Sequence, residues 1–159
     1  TQIGEIIFDA RKEKNPCALC SKMRKGALNN KVEELGCNKI ALGHNRDDVI
    51  ETFFMSLFYE GRIHCFSPYT FLSKKKIASI RPLIYVPEKD VIGFARKQGL
   101  PIVKNKCKAD GNTKREEIKN FMKNIGKDFD YFEETVFSAI KRSELEGWGE
   151  INEFLRTGK

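Results

Sequence analysis

The stretch NKIALGHNRDD, residues 38–48, decides the fold class of this chain. It begins as a short apolar strand, which Gly43 ends. Asn45 is a helix-capping residue type, and Asp47 and Asp48 then fall in the first turn of a helix, where the helix dipole favours negative charge. A strand that passes through a glycine turn into a helix is typical of an α/β domain, whose ligands bind at the carboxyl ends of parallel strands.

The rest of the chain repeats this alternation of helices and strands. Beyond residue 48, apolar side chains follow the helical period at Val49, Ile50, Phe53, Phe54, Leu57 and Phe58. Similar patterns predict further helices at about residues 17–35, 87–98, 113–125 and 128–146, a loop or hairpin at 61–76, and short strands at about 77–80, 83–86 and 102–103. We therefore expect residues 1–159 to form a single α/β domain with a mostly parallel sheet flanked by helices.

Charge and cysteine content narrow the class of protein. The 159 residues include 29 Lys and Arg against 22 Asp and Glu, so the net charge is +7. A basic surface favours a polyanionic partner, with nucleic acid first among the candidates. No apolar run is long enough to cross a membrane and no secretory leader is visible, so the five cysteines indicate reduced thiols in the cytoplasm rather than a disulfide framework.

Three of the cysteines are candidate ligands of a metal centre. Cys17 and Cys20 stand at the start of a predicted helix, and their spacing fits half of a metal or cluster site, a redox pair or two packed core thiols. Cys107 stands in a lysine-rich loop at residues 104–108, where positive charge stabilises a thiolate. Three thiolates on one centre would leave one position open for chemistry. Arg24, one turn beyond Cys20, either points to the same centre or lies on a solvated helix face.

Asp47, Asp48 and His44 are the second group of candidate site residues. The two carboxylates are either ordinary charges at a helix N-terminus or functional groups, one contacting a magnesium ion or nucleotide and the other acting as a base or orienting group. His44 is either a packed turn residue or a contact to a nucleotide phosphate. All three residues follow the same predicted strand, so they lie at the edge where α/β sheets bind ligands.

Several short motifs, taken together, resemble the tRNA 2-thiocytidine synthetases. They are the C-x-x-C pair at 17–20, MRKG at 23–26, KIALGHNRDD at 39–48, Glu51-Thr52, RPL at 81–83 and the late Cys107. Those enzymes belong to the PP-loop ATPase superfamily and have the Rossmann-like fold of the adenine-nucleotide alpha-hydrolases. The resemblance covers roughly residues 16–142 and implies the same fold here.

The resemblance implies a reaction that needs ATP, Mg²⁺ and a [4Fe–4S] cluster. ATP adenylates the C2 oxygen of a cytidine in the anticodon loop of tRNA, and sulfur carried on the open iron of the cluster displaces AMP. The matching cluster ligands are Cys17, Cys20 and Cys107. The matching nucleotide-binding residues are Gly43, His44 and Asn45, and the matching catalytic residues are Asp47, Asp48 and Arg24. The implied partners are tRNA and a sulfur donor, either a cysteine desulfurase or sulfide, and a homodimer is a further expectation.

One departure from the family concerns the phosphate-binding loop. The family's Ser-Gly-Gly-x-Asp-Ser sequence does not occur in these residues. A glycine-rich turn supplies the backbone N–H groups that hold the phosphates of ATP. We therefore expect this chain to be the C-terminal part of a PP-loop domain, unable to use ATP for thiolation by itself.

Three alternative functions remain open at the level of the sequence. A tRNA 2-thiouridine synthetase of the same superfamily shares the cluster and the GHNxDD motif, although its extra C-x-x-C pairs are not seen here. A zinc-bound nucleic-acid-binding module without catalysis fits the charge and the cysteines, but it does not explain an acidic pair at a strand end. A nucleotide-binding regulatory domain with buried thiols would need neither a metal nor a reaction.

Overall fold

The computed structural model describes residues 2–12, 14, 16–103 and 107–149. Its helices are α1 (Ile3–Glu5), α2 (Pro16–Glu34), α3 (Arg46–Glu60), α4 (Glu88–Lys97), α5 (Lys114–Ile125) and α6 (Phe132–Arg142), with a π-helical segment at Ile6–Ala10. Its strands are β1 (Lys39–Ala41), β2 (Tyr69–Leu72) and β3 (Ile77–Ile80). This mixture of helices and strands confirms the predicted α/β class. Within the described residues, no helix is both long and apolar enough to span a bilayer.

The sheet has the strand order β1-β3-β2. β1 runs parallel to β3, with Ile40 opposite Ser79, whereas β2 and β3 form an antiparallel hairpin. The parallel pairing continues past the strands, because the backbone N–H of Leu42 donates to the carbonyl oxygen of Ile80 at 2.9 Å. The carboxyl ends of β1 and β3 therefore meet at one edge of the sheet, which is the edge where ligands bind in such folds.

The C-terminal part of α2 packs against this sheet. The helix begins at Pro16 as predicted, because proline lacks the N–H that the first helical turn cannot use. Asn15, the predicted cap, lies outside the described residues. Val32, near the end of α2, packs against Ile40 and Ile77 in a small buried cluster, so the helix that carries the C-x-x-C pair is fixed to the parallel strands.

The main core lies where α3 meets α5 and α6. It is formed by the buried side chains of Val49, Ile50, Phe54, Cys65, Ile84, Ile118, Met122, Phe137, Ile140 and Trp148. The apolar stripe predicted for α3 accounts for the first three of these, whereas Phe58, near the helix end, is 51% exposed. Because α3 is packed between two other helices, its N-terminus has a defined place at the sheet edge.

Two short segments that sequence patterns assign to strands have other structures. The strand prediction at 83–86 is wrong: Pro82 has no N–H to donate, and the chain turns instead, with the Val86 N–H donating to the carbonyl oxygen of Leu83 at 2.8 Å. Residues 102–103 pair with none of the described strands, and their side chains are 70% and 87% exposed. Apolar residues predict a strand only where a neighbouring strand is available to pair.

Candidate nucleotide and thiol sites

The N-terminus of α3 is closed by a reciprocal pair of hydrogen bonds. The side-chain oxygen of Asn45 accepts from the Asp48 N–H at 3.1 Å, and the Asp48 carboxylate accepts from the Asn45 N–H at 3.0 Å. This is a capping box, and it satisfies two backbone donors that have no partner within the helix. The predicted cap at Asn45 is confirmed, and Asp48 is thereby fixed at the strand end.

The three residues that open α3 each contact a different helix. Arg46 contacts α6: its guanidinium donates to Glu133 at 2.9 Å and to Glu134 at 3.2 Å, and only 8% of its side chain is exposed. Asp47 contacts α4, where its carboxylate accepts from the Glu88 N–H at 2.7 Å. Since the N-cap residue of α4 is a proline with no side-chain cap, Asp47 supplies the cap from outside that helix.

Asp48 contacts α5 and belongs to a network of alternating charges. Its Oδ1 accepts from Arg115 at 3.2 Å, and the same guanidinium donates to the buried carboxylate of Glu51. Lys119 lies 3.5 Å from Glu51 and 3.3 Å from Glu88. Burial raises the pKa of Glu51 above its ordinary value, and the two cations offset this only in part. The network joins α3, α4 and α5 behind the predicted acidic pair.

His44 lies where the chain leaves β1, against the ring of Phe66. The two ring centroids are 4.7 Å apart, and Nδ1 of His44 is buried without a hydrogen-bond partner in the described part of the protein. Burial is the main cause that lowers the pKa of His44, with the charges of Arg81 and Arg115 acting in the same direction and Asp48 opposing them. His44 is therefore a neutral imidazole near physiological pH.

The predicted nucleotide and acidic residues are thus together, at the end of β1 and in the first turn of α3. Gly43, which is exposed, and His44, which is half-buried, precede the cap, and Asp47 and Asp48 follow it. The side chains of Asp47 and Asp48 are 16% and 28% exposed, so solvent and ligands reach both carboxylates despite their structural contacts. This edge can present a neutral imidazole and two carboxylates to a bound molecule.

The predicted thiol ligands lie on two separate elements. Cys17 is exposed and Cys20 half-buried in the first turns of α2, and Arg24 is exposed one turn further on. Cys107 is exposed in a turn between α4 and α5, and the neighbouring Lys104 and Lys106 lie outside the described residues.

The N-terminal segment links these two elements. α1 and the π-helical segment both pack against α2, and Lys108, next to Cys107, contacts the Asp9 carboxylate of the π-helical segment at 3.0 Å. Among the described residues, no three His, Cys, Asp or Glu side chains are close enough to hold a metal ion. Thiolates are the usual ligands of iron–sulfur clusters, so the donor chemistry fits while the assembly of the three cysteines stays a prediction.

Sequence reasoning missed the residues that support the acidic pair and the imidazole. Arg115 is 67 residues from Asp48 in the chain, and Phe66 stands in a segment without a regular pattern. Glu51 was the one indication of this charge network in the sequence, because it falls one helical turn after Asp48 and next to the apolar stripe of α3. A carboxylate that faces the core needs a cation, but the sequence does not say which one supplies it.

Comparison with known proteins identifies relatives of this chain. It is 42% identical over 130 residues to a tRNA-cytidine(32) 2-sulfurtransferase of Teredinibacter turnerae, covering 81% of this chain and 43% of that protein. It is also 42% identical over 145 residues to the protein of the same name from Aeromonas hydrophila, covering 87% of this chain and 48% of that protein. The chain therefore spans about half the length of the curated relatives it matches.

A solved structure and a family model agree with these relatives. The U34-tRNA thiolase NcsA from Methanococcus maripaludis, solved with its [4Fe–4S] cluster, superposes with a TM-score of 0.63 at 26% identity, covering 80% of this chain and 43% of that chain. A family model described as a PP-loop domain matches residues 2–125. Since this match includes most of the 159 residues, the chain belongs to the PP-loop domain family.

Proposed function

We propose that this protein acts in an ATP-dependent tRNA sulfurtransferase that replaces the C2 oxygen of an anticodon-loop cytidine with sulfur. The observation that carries the proposal is the 42% identity to tRNA-cytidine(32) 2-sulfurtransferases over most of this chain. The position of the GHNRDD stretch supports it, because nucleotides bind at the carboxyl ends of parallel strands. A net charge of +7 suits tRNA as the partner.

In this proposal the edge formed by β1 and α3 contacts the nucleotide and its Mg²⁺ ion. The residues of this edge that contact the nucleotide are Gly43, His44 and Asn45. Asp47 and Asp48 are the acidic groups next to the reaction. Both are held in place by the contacts of their carboxylates with α4 and α5, so their positions do not depend on the ligand.

We also propose that Cys17, Cys20 and Cys107 hold a [4Fe–4S] cluster, with Arg24 beside it. A cluster with three protein ligands has one iron with an open position, where a sulfur atom from a desulfurase or from sulfide can bind. The cluster in the thiolase NcsA supports this assignment, as does the shared contact of both cysteine-bearing elements with the N-terminal segment. Three exposed or half-exposed thiols are also better placed for a ligand than for core packing.

A tRNA 2-thiouridine synthetase is the second candidate function. It is favoured by the superposition on NcsA, whose name gives uridine 34 as its site. The lower identity of that match, 26% against 42%, places it behind the cytidine enzyme. Nucleoside analysis of the modified tRNA separates the two, since the products are 2-thiocytidine and 2-thiouridine.

The test is anaerobic reconstitution of the chain with iron and sulfide, followed by visible and EPR spectroscopy. We expect a [4Fe–4S] signal in the unaltered chain and its loss in Cys107→Ala, because two thiolates on one helix do not complete the site. Cys37→Ala is the matched control, since Cys37 is an exposed cysteine outside the proposed site. A cluster that survives Cys107→Ala would overturn the assignment of Cys107 as a ligand. Tight zinc binding with no cluster would overturn the whole assignment and favour a zinc-bound nucleic-acid-binding module.

A further inference from the structure

His44, Phe66 and Arg81 form a stack at the carboxyl edge of the sheet. Phe66 contacts both of the other residues: its ring centroid is 4.7 Å from the imidazole centroid of His44 and 4.9 Å from Cζ of Arg81. The second contact is a cation–π interaction, which a planar guanidinium makes well. His44 follows β1 and Arg81 follows β3, so the stack joins the ends of the two parallel strands.

Arg81 is itself fixed by the segment that carries Phe66. Its guanidinium donates to the carbonyl oxygen of Ser67 at 2.6 Å and contacts the Thr70 hydroxyl at 3.3 Å. Its backbone N–H donates to the carbonyl oxygen of Pro68 at 3.0 Å. These contacts tie the residues that follow Phe66 to Arg81, so the backbone that carries the Phe66 ring is held beside the end of β3.

We propose that Phe66, held by Arg81, is a positioning residue that fixes the orientation of the His44 imidazole at the carboxyl edge of the sheet. This assigns a role to Arg81, the first residue of the RPL motif at 81–83, which the proposed function does not use. The inference rests on the proposed contact between His44 and the nucleotide, but its test does not, because the tautomer and the pKa of His44 are measured without nucleotide.

The fixed orientation selects one tautomer of His44. Nδ1 is buried without a partner, and an N–H buried there would cost more than a lone pair. We therefore expect the proton of the neutral ring on Nε2, which makes that nitrogen the donor for a phosphate oxygen of the proposed nucleotide. The charged groups that act on this ring are Asp48 on α3, Arg81 after β3 and Arg115 on α5, and the balance with burial lowers the pKa of His44.

The test is NMR of the imidazole nitrogens and carbons in the 159-residue chain without nucleotide. The chain has two histidines, and the exposed His64 supplies a second signal that should not change. We expect the unaltered chain to show His44 as the Nε2–H tautomer. In Phe66→Leu, which removes the ring but keeps an apolar side chain, we expect mixed tautomers and a rise in the pKa of His44 toward its ordinary value.

Three further variants make the result decisive. Phe66→Tyr retains the ring and should restore the behaviour of the unaltered chain. Phe71→Leu makes the same substitution at a side chain of β2 that is 55% exposed, and should leave His44 unchanged. If Phe66→Leu does not fold, Arg81→Lys replaces it, because this variant keeps the charge but removes the planar group. It should show the same change in the tautomer and the pKa of His44.

Two results would overturn the proposal. One is a His44 signal with the same tautomer and pKa in a folded Phe66→Leu as in the unaltered chain. The other is an equal change in Phe71→Leu. Failure of the cluster reconstitution described above would count against the proposed function and not against the positioning role, because the NMR test needs neither cluster nor nucleotide.

Discussion

Replacing Arg46 by alanine should destabilise this protein more than any substitution of an exposed arginine. Arg46 stands in the first turn of α3, and its guanidinium contacts Glu133 at 2.9 Å and Glu134 at 3.2 Å in the first turn of α6. Only 8% of the side chain is exposed, so both its charge and its aliphatic stem are lost from a buried position. Arg46 and Glu133 are 87 residues apart in the chain, so their contact holds α6 against the helix that carries the acidic pair.

The expected loss in the free energy of unfolding follows from how exposed the two glutamate side chains are. A hydrogen bond to a buried charged group contributes about 1.5–3 kcal/mol. The side chains of Glu133 and Glu134 are 39% and 50% exposed, so solvent screening reduces each bond to roughly 0.5–1 kcal/mol. Loss of two buried methylenes adds about 1.5 kcal/mol. The sum is about 3 kcal/mol, which corresponds to a fall in Tm of about 6–12 °C for a chain of this size.

The assay is urea unfolding followed by the fluorescence of Trp148, the single tryptophan, which is 1% exposed in the core beside α6. Arg62→Ala is the matched control, because Arg62 makes an ion pair with Glu60 in which the two side chains are 66% and 49% exposed. The control should change the free energy of unfolding by less than about 0.5 kcal/mol. Equal effects of the two substitutions would refute the argument that burial gives the Arg46 contact its value.

Two further predictions concern a glycine and a buried carboxylate. Gly147→Ala should lower the free energy of unfolding by about 1–3 kcal/mol, because Gly147 has φ +77° and an added Cβ would overlap the Cβ of Ser67. Gly93→Ala, in the middle of α4 with nothing near the added Cβ, should instead be neutral or stabilising by up to about 1 kcal/mol in the same urea assay. Burial raises the pKa of Glu51, so its contribution to stability is present below its ordinary pKa and is lost as the pH rises through the folded-state value. Relative to Glu51→Gln, the unaltered chain should therefore become less stable as the pH rises above the ordinary pKa of a glutamate, about 4.3, and a difference that grows in its favour would contradict the assigned cause.

The features of the candidate site that arise from residues adjacent in the sequence were predictable. The cap at Asn45, the acids in the first turn and the strand before them are all local, and the structure places them as the sequence indicates. The contacts of those acids were not predictable, because Arg115 and Glu88 come from other helices. The same limit explains the strand predicted at 83–86, where local apolar residues gave no information about a pairing partner.

The sequence by itself determined the α/β class, the ends of most helices and the group of residues at the end of β1. These features follow from hydrophobic periodicity, capping residues and glycine turns, which act over a few residues. Only the tertiary structure decided that Arg46, Asp47 and Asp48 contact α6, α4 and α5 in turn, and that the ring of Phe66 contacts both His44 and Arg81. Such contacts depend on which surfaces become buried together when the chain packs. A buried charge needs a partner, and that partner comes from a distant part of the chain that local sequence patterns do not identify.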